Sequence, residues 1–352
     1  MIPFFRLDRQ QEVIKEELNE AIQRVLNSNW YILGKEGEQF EEEFSRFNNT
    51  KYGVGLNSGT DALQIALRAL ESEKSEVITV SNTAIPTIAA IYAANCKPIF
   101  VDTNPETHLI DIDKIEEKLT NKTRAILPVN LFGQAIETKK IKAITDIPII
   151  EDCAQSIGMT ENDSLIQCHS FYPTKNLGAY GDAGAITTND WEIADKCKKI
   201  RNYGQTNRYH HVMKGINSRL DELQAAILRV KLKRVNIWNQ KRRDIAKKYS
   251  KELTSVVPPT EKNNHNYHLY VVKTPKRDQL KEYLEKNNIK TEIHYPTPAH
   301  LQPGYPEFHY LKGTLSVTEK QAKEILSIPI YPELTQEEIE TVISKINGAE
   351  FL

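Results

Sequence analysis

The segment Glu151-Asp152-Cys153-Ala154-Gln155 closes an apolar run, and Ser170-Phe171-Tyr172-Pro173-Thr174-Lys175-Asn176-Leu177-Gly178 follows it. An acid at the end of a buried run and a lysine in a turn are what a pyridoxal-phosphate enzyme requires. The acid keeps the pyridine nitrogen protonated so that the ring draws electrons, and the amine forms the Schiff base. Asp152 and Lys175 are the candidates. Asp152 follows Ile147-Pro148-Ile149-Ile150, so partial burial is expected, and an ionised carboxylate there needs a positive partner such as a pyridinium. The plainer reading is a strand-end Asp capping the next loop. Gln155 is placed to orient that carboxylate or to face the ring from its other side. A lysine between Pro173 and Gly178 is ordinarily solvated; Ser170, whose hydroxyl suits the same phosphate, and Asp152 upstream give Lys175 its chemical reading.

A third segment, Asn57-Ser58-Gly59-Thr60-Asp61, lies between a strand pattern and a helix pattern. Free amides and the helix dipole suit a phosphate there, and Gly59 lets the backbone approach the anion. An ordinary helix cap by Ser58 or Thr60 explains the same residues.

These segments need a scaffold. Apolar runs at Tyr52 to Leu56, Val77 to Val80, Ile99 to Asp102, Ala125 to Val129, Ile147 to Asp152, His169 to Tyr172 and Ala183 to Thr188 read as seven strands of an α/β sheet. Helical spacing is expected at Asp61 to Leu70, Ala84 to Ala94, Asp113 to Leu119 and Thr138 to Ile144. Ligands of such sheets gather beyond the carboxyl ends of the strands, which puts all three segments on one rim. A helix from Trp191 to about Arg201 and a polar stretch from Asn202 to Ser218 follow. One long helix is then predicted from Leu220 to about Tyr249, uninterrupted by Gly or Pro. Beyond it, strands at Tyr267 to Val272 and Lys290 to His294 and helices at Arg277 to Glu285, Thr318 to Leu326 and Thr335 to Ile346 predict a small α/β domain.

The 352 residues favour two domains, and 46 basic against 47 acidic residues leave no global field for nucleic acid or an anionic membrane. Cys96, Cys153, Cys168 and Cys197 show no close pairing, so neither a disulfide framework nor a zinc knuckle is expected, and a reducing cytoplasm fits. No signal-type apolar core and no apolar run of membrane-spanning length are seen. The nine histidines include His210-His211 and His265 with His268, which lack acidic or cysteine companions at ligand spacing, so no metal site is expected.

The segments Asn57 to Leu63, Pro98 to Asp102, Leu131-Phe132-Gly133-Gln134, Glu151 to Gln155, Ser170 to Gly178 and Asn217 to Ala226 span nearly the whole chain. In them the sequence resembles the sugar-nucleotide aminotransferases of the DegT/DnrJ/EryC1/StrS family. The resemblance implies the α/β type I fold of pyridoxal-phosphate-dependent transferases, that of aspartate aminotransferase. This comprises a large domain, residues 1–245, with a seven-stranded mostly parallel sheet, and a small C-terminal α/β domain, residues 246–352. It further implies that Lys175 tethers pyridoxal 5'-phosphate, Asp152 pairs with the ring nitrogen and Gln155 contacts the ring near its hydroxyl. Ser58, Gly59, Thr60 and Ser170 would hold the phosphate, with Asn217 arriving from a partner subunit, so a homodimer follows. Taken without the family, Asn217 is a plain helix-start residue. The chain departs from the family with Ala84, where an aromatic ring often stacks on the cofactor, and with Ala183, where glycine is usual.

The activity so implied is transamination in two halves, L-glutamate converting the cofactor to pyridoxamine 5'-phosphate and a nucleotide-linked keto sugar accepting the amine. A dTDP-linked 3-keto-6-deoxyhexose is the expected acceptor, from Thr83-Ala84-Ile85-Pro86-Thr87, His294-Tyr295-Pro296 and His300-Leu301-Gln302-Pro303. A UDP- or GDP-linked 4-keto sugar is the alternative, and a non-catalytic regulatory relative a more distant one. His294 and His300 are candidates for hydrogen bonds to sugar or phosphate, or belong to turns with surface histidines. Tyr180 approaches the sugar or simply packs, and Arg219 or Lys214 meets the diphosphate or is solvated.

Overall fold

The computed structural model describes residues 1–159, 161, 163–260 and 264–351. Seven strands form its centre: β1 (Tyr52–Leu56), β2 (Glu76–Val80), β3 (Lys97–Val101), β4 (Thr123–Ile126), β5 (Ile150–Asp152), β6 (Ile166–Ser170) and β7 (Gly184–Thr188). Parallel pairing joins β2 to β3 and β4, and β5 to β6, while β7 runs antiparallel between β6 and β1. Isolated parallel bridges from Ile126 to Ile149 and Val129 to Asp152 connect the two sets, giving the order β3-β2-β4-β5-β6-β7-β1. The strands are almost wholly buried because helices cover both faces, which is why their sequences read as continuous apolar runs. The sheet is thus mostly parallel, as expected.

Helix starts follow local chemistry. Ser58 caps Gly59–Ala69, its Oγ accepting from the Asp61 amide at 3.1 Å, and Pro86 opens Ile85–Ala93. Asp190 caps Trp191–Ile200 in the same way.

Several expected elements differ. The single helix after Leu220 is two, Glu222–Leu232 and Val235–Glu252, broken at Arg234 with φ −112°. The first buries Ala225 and Leu228 beside Phe40, Phe44 and Phe171; the second buries Ile245, Ala246 and Tyr249 in a separate core with Tyr270, Leu280 and Tyr331. No straight helix keeps one apolar stripe on both cores, so the bend occurs without Gly or Pro. Asp113 to Leu119 forms two 3₁₀ turns, Ile112–Lys114 and Glu116–Lys118. Lys290 to His294 is no ladder strand; it makes one isolated bridge, Glu292 to Ser327, and another, Ile2 to Ile289, just precedes it. The helix expected to reach Leu326 stops at Glu324.

After β7 come the short antiparallel pair β8 (Gln205–Asn207) and β9 (His210–His211). The C-terminal part holds the antiparallel pair β10 (Tyr270–Lys273) and β11 (Ile325–Ile328) with helices Arg277–Lys286 and Gln336–Asn347. Among the described residues no helix is long and apolar enough to cross a membrane.

Candidate active site

The carboxyl ends of β1, β5 and β6 open on a cavity of about 460 Å³. Ser58, Gly59, Thr60, Asp152, Gln155, Ser170, Lys175 and His294 line it, which brings the three rim segments together.

Two carbonyl-free amides mark one end. Ser58 takes the Asp61 amide on its side chain and the Ala62 amide on its carbonyl, and no described residue accepts from the amides of Gly59 and Thr60. The cap and the anion cradle therefore coexist, since a cap satisfies later amides and leaves the first ones to a ligand. A Cβ on Gly59 would stand 2.6 Å from Cβ of Ser170, so only glycine lets the helix start come this close to the end of β6.

Asp152 lies at the other side. Thr87 donates to its Oδ2 at 2.8 Å and the Ala154 amide to its Oδ1 at 3.1 Å. Thr83 and Thr87 share a hydroxyl contact of 2.8 Å, so Thr83 is the donor there and extends the support. Burial raises the pKa of Asp152, opposed by these bonds and by the charge of Lys175. Among the described residues no cation lies within 4.0 Å of it. A buried carboxylate with an open approach fits a protonated ring nitrogen.

Lys175 is half-buried in the cavity wall, and desolvation brings its pKa down to about 8 against the opposing attraction of Asp152. Burial also lowers His294 to about 4 and holds His268 well below its usual value, in both cases with help from Lys175, so both rings are neutral. Gln155 is fixed at both ends: its Oε1 accepts from the Phe132 amide at 2.6 Å, and its Nε2 donates to Tyr295 Oη at 3.3 Å. The site thus pairs a lysine that loses its proton near neutrality, an acid awaiting a cation, and an anion cradle. Those are the requirements for pyridoxal phosphate. Where the family often has an aromatic ring, this wall has Ala84 and Pro86. Ala183 sits in an apolar cluster and its carbonyl accepts from the Phe171 amide at 2.8 Å, so the methyl is accommodated.

Five expected residues stand elsewhere. Asn217 and Arg219 line a neighbouring recess of about 490 Å³ with Ile32, Asn57 and Gly181, and Asp182 borders both spaces. Tyr180 packs under Lys231, whose Nζ is 4.2 Å from the ring centroid. His300 corrects the sequence reading most sharply. It is fully buried, with Nδ1 2.6 Å from Ser81 Oγ and Nε2 3.2 Å from Glu319, so its ring is consumed inside the protein and cannot meet sugar or phosphate. Lys214 borders a third recess with Arg68 and Arg124. From sequence, Thr87 and Tyr295 are read only within the two acceptor segments, His268 is weighed only as a metal ligand, and Asp182 is given no role. Thr87 is one helical turn past Thr83, the one local sign of its contact with Asp152; nothing in the sequence places His268 beside Lys175, because its neighbours are remote in the chain.

A sequence profile of the DegT/DnrJ/EryC1/StrS aminotransferase family matches residues 12–347. The chain is 41% identical over 99% of its length to the dTDP-3-amino-3,6-dideoxy-alpha-D-galactopyranose transaminase of Aneurinibacillus thermoaerophilus, 99% of which is covered. It is 38% identical over 99% of its length to the UDP-2-acetamido-2-deoxy-3-oxo-D-glucuronate aminotransferase of Pseudomonas aeruginosa, covering 100% of it, and 41% identical over 99% to a pleiotropic regulatory protein of Geobacillus stearothermophilus, covering 98%. The crystal structure of S. venezuelae DesV superposes with a TM-score of 0.95 at 37% identity, covering 98% of this chain and 97% of that one. NtdA from Bacillus subtilis with bound cofactor PMP gives 0.93 at 33%, covering 98% and 84%.

Proposed function

The chain belongs to the DegT/DnrJ/EryC1/StrS aminotransferase family and is a pyridoxal-phosphate-dependent sugar-nucleotide aminotransferase, and we propose that it aminates C3 of a dTDP-linked 3-keto-6-deoxyhexose with L-glutamate as donor. The product is the dTDP-3-amino-3,6-dideoxyhexose. The observation that carries the reading is one cavity lined by the half-buried Lys175 and, facing it, the buried Asp152, which has no cation within 4.0 Å among the described residues. Support for C3 is that three relatives, the dTDP-3-amino-3,6-dideoxy-alpha-D-galactopyranose and dTDP-3-amino-3,4,6-trideoxy-alpha-D-glucose transaminases and the UDP-2-acetamido-2-deoxy-3-oxo-D-glucuronate aminotransferase, carry that position in their names, although their nucleotides differ. The runner-up is C4 amination of a UDP- or GDP-linked 4-keto sugar.

Bound pyridoxal phosphate supplies an electron sink for removing a proton from carbon. Lys175 tethers it, and once free acts as the base that moves a proton at the substrate carbon, a task that requires the neutral amine. Asp152 holds the proton on the ring nitrogen. Gln155, fixed by Phe132 and Tyr295, presents its amide to the ring hydroxyl. The amides of Gly59 and Thr60, with Ser58 and Ser170, hold the phosphate, and His294 faces the sugar.

Asn217 and Arg219 lie in the adjoining recess, so we assign their contacts to the site of a second copy, Asn217 to the phosphate and Arg219 to the substrate. Exposed Trp30 and Tyr31 beside Ile32 supply apolar surface for that homodimer. Glu222 sets this loop, accepting from the amides of Gly34, Glu36 and Gly37. We divide the chain into a cofactor-binding part, residues 1–245, and a C-terminal part, residues 246–352, and place it in a reducing cytoplasm, in keeping with its four free cysteines.

Lys175→Ala is expected to abolish turnover and the lysine-linked visible absorption; surviving turnover would end this reading. Glutamate-dependent assays with chemically defined 3-keto and 4-keto sugar nucleotides separate the two acceptors. A purified protein that stays colourless with added pyridoxal phosphate would instead favour a regulatory role, such as the name of the Geobacillus relative carries.

A further inference from the structure

Behind Lys175 runs a chain of buried amides whose direction is fixed by backbone carbonyls, which only accept hydrogen bonds. The Ile157 carbonyl accepts from Nδ2 of Asn239 and from Nδ2 of Asn266, each at 3.2 Å. Asn239 therefore turns Oδ1 toward Asn176, whose Nδ2 donates to it at 2.8 Å and to the Asn266 carbonyl at 3.4 Å. What remains of Asn176 is Oδ1, 3.1 Å from Nδ1 of His268. An amide oxygen donates nothing, so the ring carries its proton on Nδ1. The backbone agrees, the His268 amide donating to Asn266 Oδ1 at 3.0 Å.

His268 lines the cavity with Lys175, and desolvation keeps its ring neutral. Its Nε2 is consequently a bare lone pair. Arg242, the other cation near it, gives hydrogen bonds to the carbonyls of Tyr267 and His268 rather than to the ring, and His294 is neutral. Asp152 is the carboxylate that faces Lys175.

We propose that His268 is a positioning residue for Lys175, its Nε2 accepting a hydrogen bond from the lysine amine whenever that amine is free and so aiming it across the cavity. The turn that carries the amine also carries Asn176, the residue that sets the tautomer. The role deepens the aminotransferase reading and rests on it.

Histidine-selective ¹⁵N NMR of the wild-type holoenzyme is expected to find His268 protonated on Nδ1 and bare on Nε2; a proton on Nε2 overturns the proposal without any variant having to fold. His268→Phe is expected to keep the lysine-linked absorption while kcat falls about tenfold, the worth of one ordinary hydrogen bond, with KM little changed. An acceptor stabilises the ammonium over the amine, so its loss should also move the pH midpoint of cofactor uptake downward. His268→Gln, with an amide oxygen in reach, should restore most of both. Equal losses in Phe and Gln variants, or a Phe variant with wild-type kcat and midpoint, overturn the role. Absence of lysine-linked absorption from the wild type itself would instead sink the underlying function.

Discussion

Lys175 stands at the tip of the loop that follows β6, and Lys231, on the helix Glu222–Leu232, reaches that loop's base at Gly178; desolvation drives both down to about 8. Their surroundings differ completely. Lys231 donates to the Gly178 carbonyl at 2.7 Å and lies over the Tyr180 ring, so its hydrogen and its charge are both engaged. Lys175 looks into open volume across from Asp152. Gly178, where a Cβ would lie 2.3 Å from the Pro173 carbonyl, closes the loop tightly, and the Ala179 amide bonds the Phe171 carbonyl at 2.8 Å. The lesson is that a perturbed pKa does not by itself mark a reacting group. Free volume and an unpaired counter-charge make the distinction.

The contrast breaks most easily at the tip. Lys175→Met should leave no measurable turnover with the fold intact by circular dichroism, whereas Lys231→Met should keep turnover and the lysine-linked absorption. Equal loss in both would show that the loop acts as one unit. Next in size is Asp152→Asn, which removes the counter-charge but keeps the shape. Turnover should drop by about a hundredfold or more, the scale of losing one preorganised electrostatic partner. A change under a few-fold would separate the carboxylate from the chemistry. Gly59→Ala pushes a methyl against Ser170 at the phosphate cradle, and the overpacking, about 1–3 kcal/mol, should appear as cofactor affinity weakened about tenfold. Unchanged affinity by titration would move the phosphate elsewhere.

The smallest effects concern the base. Lys231→Met leaves the Gly178 carbonyl without its donor and should lower stability by about 1–3 kcal/mol, read by denaturant titration. The pH dependence sharpens the same contrast. Only the neutral amine attacks an aldehyde, so the rate of cofactor uptake should rise through about pH 8, and Lys231→Met should leave that midpoint in place. Between about pH 8 and the usual 10.5, the unfolded chain still holds protons that the folded protein has released from both lysines. Apoprotein stability therefore rises with pH across that window, and either Met variant should flatten part of the rise.

Much of the site was legible because its parts are local. Asp152 ends an apolar run and Ser58-Gly59-Thr60 opens a helix. His300 failed the same reading, since its partners Ser81 and Glu319 come from distant segments and close around the ring. The roles of Thr87 and His268 escape the sequence for a related reason: each matters through a hydrogen bond to a residue far away in sequence.

Apolar periodicity by itself determined the seven strands, the α/β class and the shared rim, because burial on both faces of a parallel sheet demands continuous apolar runs. Only the tertiary structure decided that the helix after Leu220 bends at Arg234, that Lys290 to His294 forms no ladder and that Ile325–Ile328 is a strand. Each depends on which core or neighbouring strand the segment meets, and that pairing is settled by contacts between residues remote along the chain.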